Sequence, residues 1–110
     1  MEINTRKERD VTIVSVTGRM GEVTAPAFEE KMRKYIADEK IKFIVDFKEL
    51  EYISSAGLRS ILAIAKMLKD KNGTMVLSSL TGAVKEVFEI TQFVSIFTIY
   101  DNTEDALSEI

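Results

Sequence analysis

Five of the seven residues from Ile41 to Phe47 are apolar, the exceptions being Lys42 and Asp46. A strand that is apolar on both faces must be covered on both, so this run predicts the centre of a sheet. The segments around it alternate in kind. Val11–Thr17 alternates apolar and small polar residues, the pattern of a strand with one buried face. Ile3–Lys7 reads as a weaker strand before it, and Glu8-Arg9-Asp10 as the tip of a hairpin. Charges on that first strand suit a sheet edge that must not recruit other chains.

Gly18–Val23 reads as a loop, and Thr24 as the N-cap of a helix with Pro26 in its first turn. Phe28, Met32, Tyr35 and Ile36 recur at helical spacing and give that helix an apolar face. Leu58, Ile61, Leu62, Ala65 and Leu68 mark a second, longer helix from about Ala56 to Lys71, stopped by Asn72-Gly73. Ile64 and Met67 widen its stripe, as core or as a surface for a partner. Thr74–Ser78 is the next strand. A short helix carrying Val84, Val87 and Phe88 follows, capped by Ser79 or Thr81. Ile96–Tyr100 is the last strand, and Thr103 caps a C-terminal helix. The order β-β-α-β-α-β-α-β-α implies an α/β fold with parallel strands, right-handed crossovers and one antiparallel hairpin. The expected sheet is mixed, mostly parallel and five-stranded, with about four helices. The strand order stays open. The 110 residues fit one domain, 1–110.

The chain has no Cys and no His. Thiolate chemistry is excluded, and the usual general base and the commonest metal ligand are missing. No catalytic residue, metal or cofactor is therefore expected. Asp46, Glu49 and Glu51 cluster near the end of the central strand, but without a nucleophile–base pair they do not make an enzyme. The net charge is −3 with mixed signs throughout, which gives no nucleic-acid surface. Lys66, Lys69 and Lys71 suit the C-terminal end of a helix. No apolar run approaches the ~20 residues of a membrane span, and the N-terminus lacks a signal-peptide core. A cytoplasmic protein is the expectation.

The candidate site is Ile53-Ser54-Ser55-Ala56-Gly57-Leu58-Arg59, between the central strand and the long helix. A helix start leaves N–H groups unpaired and carries positive charge. Ser54 or Ser55 would cap it, and either would carry a phosphate there without refolding. Gly57 costs about 1 kcal/mol against Ala in a first helical turn, which implies a need for bare backbone. We expect that need to be the approach of a partner. Arg59 follows as surface or as a steering charge.

This arrangement resembles the STAS domain, and more narrowly the bacterial anti-sigma factor antagonists, over almost the whole chain. The family signature Asp-Ser-Ser/Thr-Gly-Leu corresponds to Ser54-Ser55-Ala56-Gly57-Leu58, and its phosphorylated serine to Ser55. A second feature, Gly-x-Leu/Ile-Asp followed by Thr/Ser-Ala, corresponds to Gly18-Arg19-Met20-Gly21 and Thr24-Ala25. Two family aspartates are replaced, by Gly21 and by Ser54, and Glu22 stands next to the first. Thr91-Gln92-Phe93 stands where many members carry Ser-Gly-Leu. The resemblance implies a non-catalytic switch. The unphosphorylated chain captures an anti-sigma factor that is also a serine kinase, phosphorylation of Ser55 releases it, and a PPM-type phosphatase resets it. It implies a partner surface of Gly21, Glu22, Thr24, Ser54, Ser55, Ala56, Gly57 and Arg59. Two alternatives stand beside it. One is an interaction module of the same fold in a sensory or transport-associated complex, without phosphorylation. The other is an enzyme or ligand pocket at the C-terminal ends of the parallel strands.

Overall fold

The computed structural model describes all residues, Met1–Ile110. Its elements are β1 (Glu2–Glu8), β2 (Val11–Met20), α1 (Ala25–Ala37), β3 (Lys42–Asp46), β4 (Leu50–Ile53), α2 (Ser55–Asp70), β5 (Thr74–Ser78), α3 (Gly82–Ile90), β6 (Ile99–Tyr100) and α4 (Thr103–Glu109). A 3-10 turn, Phe93–Ser95, precedes β6. The sheet runs β1-β2-β3-β5-β6, with β4 attached to β2 alone. Only β1 is antiparallel. Arg9-Asp10 turns the hairpin, pairing Glu8 with Val11.

β3 is apolar on both faces because both are covered. Phe43 and Val45 join Val14, Val16 and Leu77 under α1, α2 and α3. Ile44 joins Val11, Ile13 and Val76 on the other face, under Ala106 of α4. Phe28, Met32 and Ile36 of α1 enter the larger core, as do Leu58, Ile61, Ile64 and Leu68 of α2. Ile64 is thus core rather than partner surface, while Leu62 and Ala65 are only partly buried. Phe88 of α3 sits among Phe47, Phe93 and Phe97, with ring centroids 6.2–6.4 Å away.

The sheet has six strands rather than the five expected. The sixth, β4, arises because β2 is long enough to serve two partners. Thr12–Ser15 pair with β3, and Gly18–Met20 pair with β4 across a register shift at Gly18/Arg19. Gly18 takes φ +99° at this bend, a conformation that side chains rarely adopt. Its N–H donates to the Glu49 carbonyl at 3.0 Å. β6 is shorter than the expected Ile96–Tyr100, because Ile96 still has a helical backbone as the cap of the 3-10 turn, and extended pairing starts only at Ile99.

Asn102, rather than Thr103, is the N-cap of α4, and it accepts from the Asp105 N–H at 2.8 Å. Thr103 is one residue inside the helix, and its hydroxyl meets that of Ser78 at 2.9 Å. Both are buried, so this bond ties α4 to the end of β5. Thr103→Val should cost about 1–3 kcal/mol by stranding the Ser78 hydroxyl. Ser78→Ala added to it should recover most of that loss, measured by urea unfolding of the two single variants and the double variant.

Candidate functional site

The two serines divide the work at the start of α2. Ser54 is the N-cap: its backbone is extended, and its hydroxyl accepts from the Gly57 N–H at 3.3 Å. Its own N–H donates to the Met20 carbonyl at 2.9 Å, and its carbonyl accepts from the Leu58 N–H at 3.0 Å. Ser55 is the first helical residue and is exposed. Its hydroxyl bonds to no protein group, so the sequence's choice of either serine as cap resolves to Ser54. Arg59 lies four residues on, on the same face of the helix as Ser55, exposed and without an ion pair.

Gly57 is buried, and the bare backbone serves the protein's own packing rather than a partner's approach. A Cβ there would lie 2.7 Å from Ile53 Cγ1, 3.0 Å from the Met20 carbonyl oxygen and 3.1 Å from Met20 Cγ. The start of α2 is thus seated directly on the paired ends of β2 and β4, where Met20 lies opposite Ile53.

The loop from β2 to α1 leaves from the same strand ends. Thr24 stands at the N-cap position of α1 but makes no side-chain cap. Its hydroxyl instead donates to the Arg19 carbonyl at 2.8 Å and accepts from the Gly21 N–H at 2.9 Å. With Ala25 N–H on the Gly21 carbonyl at 2.8 Å, this ties Gly21–Thr24 into a tight turn. Glu22 and Val23 project from it, Val23 with 92% of its surface exposed. Beside the turn, the Arg19 guanidinium lies 4.2 Å from the centroid of the Tyr52 ring.

The structure therefore brings Gly21, Glu22 and Thr24 to one rim and Ser54, Ser55, Ala56 and Arg59 to the adjoining one. Val23, Arg19 and Tyr52, which the sequence reading did not single out, lie beside these residues. The available signal was an apolar residue in a polar loop. Of the carboxylates near the central strand, Asp46 accepts from the Lys48 N–H at 2.9 Å, while Glu49 and Glu51 are exposed. No trio of acidic side chains gathers as a metal site would require.

The family model of the STAS domain matches residues 2–106. Over 106 residues the chain is 34% identical to BtrV of Bordetella bronchiseptica, a protein named among the anti-sigma factor antagonists, across 96% of this chain and 91% of that one. It is 28% identical to the anti-sigma F factor antagonist of Paenibacillus polymyxa, across 100% of this chain and 95% of that one. The crystal structure of an anti-sigma factor antagonist of Thermotoga maritima superposes with a TM-score of 0.92, over 98% of this chain and 93% of that one. At 23% identity, that last likeness is one of fold.

Gly57→Ala gains about 1 kcal/mol of helix propensity but overpacks a contact that backbone and a branched side chain hold fixed, at a cost of roughly 1–3 kcal/mol. The variant should be net destabilised, with a lower urea midpoint and an unchanged slope. A higher midpoint would mean that α2 can lift off the Met20 carbonyl without loss.

Proposed function

The chain belongs to the STAS domain family, and from that premise we propose that it acts as an anti-sigma factor antagonist. The relatives that carry that name match nearly the whole chain and nearly the whole of their own length. Their names favour this function over a sensory or transport-associated module. No helix is long and apolar enough to cross a membrane.

The chain works by binding rather than by catalysis. Unphosphorylated, it presents the rim of Gly21–Thr24 and the start of α2 to an anti-sigma factor that is also a serine kinase. Captured, that partner releases its sigma factor. Phosphorylation of Ser55 ends the complex, and a PPM-type phosphatase removes the phosphate. The observation that carries this reading is the division between the serines. Ser54 holds the helix cap, so Ser55 is free, exposed and available for modification without loss of the cap.

A phosphate there adds about −1.5 to −2 charge at the positive end of a helix, which favours it. Arg59 on the same helix face adds a counter-charge. The cost of the modification therefore falls on the docked partner, by bulk and repulsion, and leaves the fold intact. Gly57, being buried, supports this surface from beneath. Ala56, half-buried, lies within it.

Ser55→Asp should keep the circular dichroism of the unmodified chain yet bind the anti-sigma factor encoded in the same genome at least about tenfold more weakly, by calorimetry. Ser55→Ala should bind normally and stay unmodified in intact-mass spectra after incubation with that kinase and ATP. Equal affinity of the two variants would remove Ser55 from the switch.

The replaced family acids give a second test. A Cβ at Gly21 would meet only Tyr52 Cε2, at 3.8 Å, so an aspartate fits there. Aspartate at position 54 keeps the cap. The double variant Gly21→Asp, Ser54→Asp should be phosphorylated faster than the natural chain, because carboxylates beside Ser55 orient its hydroxyl and approach the kinase's magnesium-bound nucleotide. Equal rates would make both replacements neutral.

A further inference from the structure

Ser55 opens a line of side chains that runs the length of α2. Ser55, Arg59, Leu62, Lys66 and Lys69 stand four, three, four and three residues apart, so they stack on one face of the helix. All but Leu62 are exposed. Arg59 and Lys69 are separated by roughly 15 Å along the axis, at about 1.5 Å per residue.

A groove of about 370 Å³ opens beside this face. Its apolar lining comes from Leu62 and Ala65 of α2, Met75 of β5, and Ile96 and Phe97 before β6. Phe97 packs on Phe88 and Phe93, with ring centroids 6.4 and 6.1 Å away, which holds that side of the groove in place. Ile96 is 55% exposed. Apolar surface left in water along an apolar groove is what a docked partner removes.

The groove is also cationic. Lys66 and Lys69 line it, and no acid does. Neither lysine forms an ion pair, and nor does Arg59. The only acid of α2 is Asp70, exposed and likewise unpaired, so the helix stays basic within a chain of net charge −3. The helix dipole favours Lys69 in the last turn but does nothing for Arg59 in the second.

We propose that this face of α2 docks an acidic amphipathic helix of the anti-sigma factor. One apolar side chain of that helix fills the groove, and its carboxylates meet Arg59, Lys66 and Lys69. A helix suits the site because a helix laid along a groove presents anchors and charges at the three- and four-residue spacing found on α2. The inference rests on the reading of Ser55 as the switch and gives it a mechanism of release. A phosphate on Ser55 lies one turn from Arg59 on the same face, takes Arg59 as its own counter-ion, and sets negative charge against the partner's acids.

The test is binding of the anti-sigma factor encoded in the same genome, by surface plasmon resonance at low and high salt. Lys66→Glu with Lys69→Glu should weaken binding at least about tenfold at low salt, chiefly through a slower on-rate, and less at high salt. Ile96→Ser should weaken it about tenfold at both, through a faster off-rate. Lys31→Glu with Lys85→Glu makes the same charge change on exposed positions of α1 and α3 and should bind as the natural chain does. Urea midpoints should stay near that of the natural chain, since every position changed is exposed. If the natural chain does not bind the anti-sigma factor, the antagonist reading fails and this inference with it. If it binds, and Ser55→Asp binds weakly while Lys66→Glu with Lys69→Glu binds normally, the docking face alone is overturned. Equal loss in the control pair overturns it too, as does a dimer of the natural chain that Ile96→Ser dissolves, which would give the groove to a second copy.

Discussion

The start of α2 rests on the paired ends of β2 and β4, at Met20 and Ile53. The Met20 carbonyl accepts from the Ser54 N–H at 2.9 Å, and it would lie 3.0 Å from any Cβ at position 57. That contact fixes where the helix begins, and the rest of the surface follows. β2 must run on past β3 to bring Met20 there, and it bends at Gly18 to do so. β4 must form to carry the chain up beside it. Ser54 must turn into the cap, which leaves Ser55 outward. An exposed hydroxyl at a helix start is thus the product of close packing beneath it.

Much of this could be read from the residues. The doubly apolar run at Phe43–Val45 required covered faces, and the structure covers both. The stripe through Leu58, Ile61 and Leu68 placed α2 within a residue of its observed ends. β4 could not be read this way. It is four residues long, with buried ends and an exposed middle, so it carries no period of two. Its existence depends on β2 having length to spare, which is a tertiary fact. Thr103 was mistaken for a cap because threonine is a common one, while its hydroxyl is spent on Ser78 across the sheet. The purpose of Gly57 was misplaced for the same reason. Sequence shows that a glycine sits in a first helical turn, but not which atoms press against it.

Ser54 and Gly21 change the electrostatics of the surface more than its shape. A serine cap satisfies the Gly57 N–H without adding charge, whereas an aspartate would bring a carboxylate next to Ser55. A phosphate on Ser55 therefore meets a helix start with no adjoining acid in the chain, and Arg59 stands one turn further on. Glu22 and Glu51 are exposed, where solvent screens their repulsion. This chain should tolerate the phosphorylated state well. Under the proposed switch, release of a partner would then come from the partner's own surface, through bulk and charge against the new group.

The serine turn depends on the stretch of chain that leads to it. Asp46 ends β3, Phe47 and the Lys48–Glu49 turn follow, and the next residues form β4 and enter Ser54. Phe47 pins this stretch, with its N–H on the Ser78 carbonyl at 3.0 Å and its ring in the core against Phe88. Phe47 opposes a second arrangement, because moving the stretch would break a backbone bond and open the aromatic cluster. The Lys48–Glu49 turn is exposed and outside any strand, yet it supplies the Glu49 carbonyl that holds Gly18 at the bend of β2.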